Sequence, residues 1–209
     1  MRLWLFVMSA GSEENEKMKF LCVAGLCGII GSVLPITMVL AGTFLSSWFS
    51  WDANALSELG ASAESVLFNS AMLIGGFLNF LFDIGLYHYF ERKQARSGIA
   101  LLMLSSVFLA LSGVFTVDSL LIHVLVAIGY FTLAPAGFII IGYSTKDSVI
   151  KKLSVASGVA ALAVILILPG IFYVAPFNVG FAVPELIEAL IILVWTVFIS
   201  TKLLRLDNK

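Results

Sequence analysis

The sequence predicts an all-α integral membrane protein: a bundle of six transmembrane helices with a short amphipathic segment between helices 1 and 2. Three observations carry this. Sixty per cent of the 209 residues are apolar and only 12% are charged, with a mean hydropathy of +1.06, whereas soluble domains are about half apolar and about a quarter charged. The apolar residues fall into six segments, each near the roughly 20 residues that a membrane helix needs. Every Lys and Arg lies near the N-terminus, in the loops after the second and fourth spans, or at the C-terminal end. Loops with and without basic residues therefore alternate, as a chain threading back and forth requires.

Residues 1–19 read as a cytoplasmic leader. They set Arg2, Glu13, Glu14, Glu16, Lys17 and Lys19 around an apolar run, Leu3–Met8, that is too short to span. This leader reads as a surface helix or a disordered tail. Residues 20–206 form one six-helix domain, and 207–209 a cytoplasmic tail. The first span, Phe20–Phe44, is uncharged and is interrupted by Pro35, with Trp48 and Trp51 in the interfacial aromatic belt. Cys22 and Cys27 do not align along a helix and read as small buried hydrophobes.

Trp51–Gly60 is the polar stretch around which the chain is organised. Asn54, Ser57 and Glu58 stand at i, i+3, i+4, so a helix gathers them on one face. Trp51, Ala55, Leu56 and Leu59 form an opposing apolar stripe, and Gly60 stops the helix. The reading is an amphipathic helix lying on the membrane surface.

The second span is Ser65–Phe90, which carries Asn69, Asn79 and Asp83. Asp83 is within reach of Tyr87, Arg92 or Lys93. The third span is Gly98–Val117, and Asp118 sits in the turn after it. The fourth is Ser119–Tyr143, with His123, Tyr130 and Pro135; the fifth is Leu153–Val174, with Pro169; the sixth is Pro184–Leu206, opening with Glu185 and Glu188. Pro35, Pro135 and Pro169 suit broken or kinked spans. By the positive-inside rule both termini are cytoplasmic and the protein is a multi-pass protein of the cell membrane.

That topology collects Asp52, Glu58, Glu64, Asp118, Glu185, Glu188 and His123 on the outer side, with no Lys or Arg among them. Glu185 and Glu188 at i, i+3 lie on one side of the last helix, as inward-facing carboxylate ligands would. Acids in a first helical turn also suit the helix dipole without any ligand. An ionisable histidine at membrane depth is expensive and seeks a partner or a cavity. Asp118 is the nearest candidate partner. One histidine with several carboxylates suits a divalent metal, although paired-histidine spacing is missing. The alternative for His123, as for Asn69, is a polar group satisfied by a neighbouring helix. Phosphate-binding glycine loops, a GxSxG elbow and CxxC pairs are absent, and no nucleic-acid partner is expected.

Ser57-Glu58-Leu59-Gly60-Ala61, then Phe68-Asn69 and Gly75, then Gly113–Asp118 and His123, resemble the DUF998 family of small prokaryotic membrane proteins with about six helices. The resemblance covers residues 20 to 205. Where members often carry proline in a Phe-Pro-x-Asp turn, this chain has Thr116. The family name assigns no function; the resemblance implies a shared outer-leaflet site containing Glu58, Asn69, Asp118 and His123.

Three functions follow as expectations. In the first, the protein binds or transports a small solute, ion or lipid headgroup, with Asp52, Asn54, Ser57, Glu58, Asn69, Asp118, His123, Glu185 and Glu188 lining an outward-facing cavity. In the second it is a membrane-embedded lipid hydrolase, metal-dependent or not, with His123 as base or ligand, Asp118 orienting it, Glu58 or Glu188 assisting, and Ser57 as candidate nucleophile. In the third it is an accessory subunit whose polar groups only join helices. Membrane lipids are partners in each.

Overall fold

In hydrocarbon, backbone N–H and C=O groups find no water, so apolar spans close their hydrogen bonds internally as helices. The computed structural model describes residues 2–174 and 180–206, with side chains placed over 14–167 and 180–206. It contains α1 (Arg2–Leu45), α2 (Ser65–Tyr89), α3 (Lys93–Ser112), α4 (Leu120–Ser144), α5 (Ser148–Val174) and α6 (Ala182–Leu204). Two short 3-10 helices, Leu56–Ala61 and Val117–Ser119, punctuate the loops, and no strand occurs among the described residues. All six long helices contain stretches apolar enough to cross a bilayer. The protein is a multi-pass membrane protein.

Several boundaries move relative to the sequence reading, each for a local reason. The first helix runs unbroken from Arg2, so the leader continues the first span's helix. Pro35 and Pro135 interrupt neither α1 nor α4; Pro35 lies against Gly75 of α2, where a side chain would collide with its ring. Helix α5 also runs through Pro169, whose side chain lies outside the described residues, as do the 207–209 tail and most of the loop before α6. At the start of α5, Asp147 Oδ1 accepts the Val149 and Ile150 N–H groups at 2.8 and 3.1 Å. That cap starts the helix at Ser148, so Lys151 and Lys152 fall in its first turns rather than in the loop.

Asp147 also receives Lys202 Nζ from α6 at 3.2 Å. The N–H of Ile150 foremost, and Lys202 and Val149 after it, hold the Asp147 carboxyl below its usual range. Asp147→Ala should cost about 1 kcal/mol, the usual loss for an N-cap. Because the folded carboxyl titrates lower than the unfolded one, that contribution is complete above the ordinary carboxylate value of about 3.9. It disappears as pH falls through the lower folded value. Unfolding of wild type and variant in mixed micelles at neutral and acid pH checks this: the gap should close at acid pH.

Each helix packs against its neighbours in sequence, and α6 returns to α1, so the six close a ring. Small residues permit the approach. A Cβ on Gly76 of α2 would stand 2.6 Å from the Ser106 carbonyl of α3, and one on Gly98 of α3 would stand 2.8 Å from the Gly137 carbonyl of α4. Asp83 is buried and accepts Ser106 Oγ at 2.6 Å, so its partner is the next helix rather than Tyr87 or a loop cation. Arg92 and Arg96 instead donate to the Ser144 and Phe90 carbonyls.

The ring is filled unevenly. At the end bearing Arg92 and Asp147, Phe82, Leu86, Ile99, Phe138, Ile141, Trp195 and Ile199 form one buried cluster. Phe138 and Trp195 stack at 4.0 Å between centroids, and Trp195 Nε1 donates to Ser154 Oγ at 2.8 Å. At the opposite end a second cluster joins Leu56 and Leu59 to Val39, Phe68, Met72, Leu109 and Ala182. Between the two lies open space.

Candidate functional site

The polar stretch is not a helix on the membrane surface. Its helical part is a 3-10 helix, Leu56–Ala61, with Leu56, Leu59 and Gly60 buried; it is called the plug below because it caps one end of the ring. Gly60 lies inside it, not after it. The expected Asn54–Glu58 contact forms, with Asn54 Nδ2 donating to Glu58 Oε2 at 2.7 Å, but Glu58 Oε1 also accepts the Ala55 N–H at 2.9 Å. Glu58 thus folds back over the start of its own turn.

Neighbouring helices hold the plug at both ends. Glu185 Oε2, from the first turn of α6, accepts the Leu56 N–H at 2.7 Å. Ala182 N–H donates to the Asn54 carbonyl at 3.0 Å, and Gly180 N–H to the Trp51 carbonyl at 3.1 Å. A side chain at Gly180 would run into the Asn54 backbone, so this clamp needs glycine. At the other end Asn69 Nδ2 of α2 donates to the Gly60 carbonyl at 3.1 Å. Just beyond, hydrogen-bond donors around Glu64, Ser46 first and then Ser62 and Trp48, hold its carboxyl below the usual range.

Beneath the plug lies an open-ended cavity lined by the plug, α1, α2, α3, α4 and α6. Its walls are mostly apolar, with Pro35, Val39, Phe68, Met72, Phe131 and Ile192 prominent. Ser57, Glu185, His123, Ser112 and Tyr130 supply polar groups, and Ser32 and Asn79 lie deeper.

His123 is 5% exposed. Its Nδ1 lies 2.7 Å from the Phe115 carbonyl; a carbonyl only accepts, so Nδ1 carries the proton and, in the neutral imidazole, Nε2 the lone pair. Nε2 has no hydrogen-bond partner among the described residues. Asp118 is not the partner: the Val117–Ser119 turn carries it to the surface, where Thr116 Oγ1 donates to it at 3.3 Å.

The expected set therefore divides. Ser57, Glu185 and His123 line one cavity; Asn54, Glu58 and Asn69 shape and hold the plug; Asp52 and Asp118 are exposed. Glu188 is fully buried, and neither carboxylate oxygen has a partner among the described residues. Glu188 is not among the residues that line the cavity, so the i, i+3 pair does not present both carboxylates to it. Among the described residues no three His, Cys, Asp or Glu side chains gather closely enough to hold a metal ion. The Glu58 and Glu185 oxygens already accept N–H groups, so the residues present do not fit the divalent site expected. Tyr130, absent from the expected lining, stands seven residues after His123. That two-turn spacing, on one helix face, is the pattern that could have found it.

A family model described as "Protein of unknown function (DUF998)" matches residues 29–202, a stretch that contains every cavity residue named above. No curated protein and no solved structure matches the chain.

Proposed function

The chain belongs to the DUF998 family, a membership that brings no activity with it, and we propose from the cavity that this protein binds an amphipathic, lipid-like molecule. The observation that carries the reading is the apolar-walled space beneath the plug, with polar groups gathered near the plug. Apolar walls with a few placed polar groups are typical of small-molecule sites. The chain of the ligand lies along Met72, Phe131 and Ile192, and its head lies near Ser57, His123 and Glu185.

Packing of Phe82, Phe138 and Trp195 across the opposite end favours binding over conduction through the ring. A hydrolytic role is less favoured, because His123 Nδ1 meets a neutral carbonyl where a catalytic base wants an orienting acid. The basic residues of the α2–α3 and α4–α5 loops mark the cytoplasmic side. This orientation puts both termini in the cytoplasm and the plug and cavity in the outer leaflet of the cell membrane.

Ala127 lines the cavity, so Ala127→Trp fills it. Native mass spectrometry of protein purified from membranes should find a bound lipid-like molecule in wild type and several-fold less in the variant. Equal occupancy in a variant of unchanged folding would overturn the reading.

A further inference from the structure

We infer that the cavity selects a head group that donates hydrogen bonds and carries no negative charge, such as the hydroxyls of a monoacylglycerol or the ammonium of a long-chain amine. The inference rests on the cavity reading above and deepens it.

What the lining can still offer a ligand is set by which of its polar groups are already engaged. His123 Nε2 presents a lone pair, because Nδ1–H is engaged with the Phe115 carbonyl. The Ser32 hydroxyl, deeper in, donates to the Gly28 carbonyl at 2.6 Å, and the Ser112 hydroxyl, nearer the plug, to the Leu109 carbonyl at 2.7 Å. Both therefore face the cavity with acceptor capacity only. Asn79 Nδ2 donates to the Gly31 carbonyl at 3.0 Å, which leaves its Oδ1 to accept. Glu185 adds a carboxylate at the plug. No lining residue is Lys or Arg. The Ser57 hydroxyl is engaged by the Glu185 carboxylate, so the donors that remain are the Tyr130 hydroxyl and one hydrogen of Asn79. Acceptors outnumber them.

His123 lines the cavity, and its Nε2 has no hydrogen-bond partner among the described residues, so a donor brought by a ligand takes the place of water there. A hydroxyl or ammonium head satisfies its Nε2. A phosphate or carboxylate head would instead bring more acceptors, and a charge of the same sign as Glu185, into a space without a cation. Such discrimination comes from repulsion as well as attraction.

The test uses the full chain in phosphatidylcholine nanodiscs at pH 7.5 with tritiated monopalmitoylglycerol as label. Unlabelled monopalmitoylglycerol, hexadecylamine and hexadecyl phosphate, which share one chain length, compete for it. The first two should displace the label at concentrations roughly tenfold or more below the phosphate, a factor equal to about one good hydrogen bond. Their mutual order tells whether the neutral or the cationic donor is preferred. His123→Phe should narrow the gap, but the wild-type preference alone decides, so a misfolded variant does not obscure the answer. Equal or stronger displacement by hexadecyl phosphate overturns the head-group inference and leaves the cavity reading standing. Absence of saturable label binding, or binding unchanged by Ala127→Trp, overturns the cavity reading itself.

Discussion

Replacing Glu185 by alanine is expected to loosen the plug and to lower stability by about 2 kcal/mol, the range for a hydrogen bond to a charged group. The Leu56 N–H, held at 2.7 Å by Glu185 Oε2, is at the start of the 3-10 helix and Leu56 itself is buried. Without the carboxylate, that donor is left unsatisfied in a place water reaches poorly. Removing a buried charge can also relieve a desolvation penalty, and Glu185→Gln separates the two effects. Glutamine keeps an oxygen that can accept from Leu56 while losing the charge, so it should recover most of what alanine loses. Hydrogen exchange at the Leu56 amide reads the plug directly. It should quicken markedly in the alanine variant and little in the glutamine one. Wild-type protection of Leu56 in Glu185→Ala would show that the backbone bonds from Gly180 and Ala182 suffice and that the carboxylate is not a clamp.

What could be read in the residues beforehand was whatever depends on one segment at a time. Six spans follow from the lengths of the apolar runs, and the gathering of Arg92, Lys93, Arg96, Lys151 and Lys152 at one end follows from their positions in and beside the connections from α2 to α3 and from α4 to α5. The i, i+4 spacing of Asn54 and Glu58 correctly marked a contact. It did not reveal that Glu58 would turn back onto the Ala55 N–H, because that choice is made by burying Leu56 and Leu59 inside a ring formed by distant helices. His123 looked for a side-chain partner and found the Phe115 carbonyl. Backbone acceptors leave no mark in a sequence. Glu185 and Glu188 lie about 60° apart around an ideal helix, close enough to be called one face. In the packed ring that angle suffices to put one on the cavity and the other out of it. The cavity itself exists only because the ring closes with its larger side chains at one end, a property of no single span.

Trp195→Ala is expected to be among the costliest single truncations, at about 3 kcal/mol or more. Between membrane helices there is little hydrophobic driving force, since lipid is as apolar as the interior, and close packing and hydrogen bonds carry association. Trp195 supplies both: it is 1% exposed, stacks on Phe138 at 4.0 Å and donates to the buried Ser154 hydroxyl at 2.8 Å. Alanine removes the stack, leaves Ser154 without that donor, and opens a void that the ring can only partly close. The void should also change binding. Ile192, one turn nearer the plug, belongs to the same buried cluster as Trp195 and also lines the cavity, so space lost at Trp195 extends the cavity's floor. Denaturing titration in mixed micelles should show the stability loss. Monoacylglycerols of increasing length should show the optimum chain moving to longer members in the variant. Lower stability with an unchanged length optimum would mean that the packed end and the cavity are separate, and that the ligand chain stops short of Ile192.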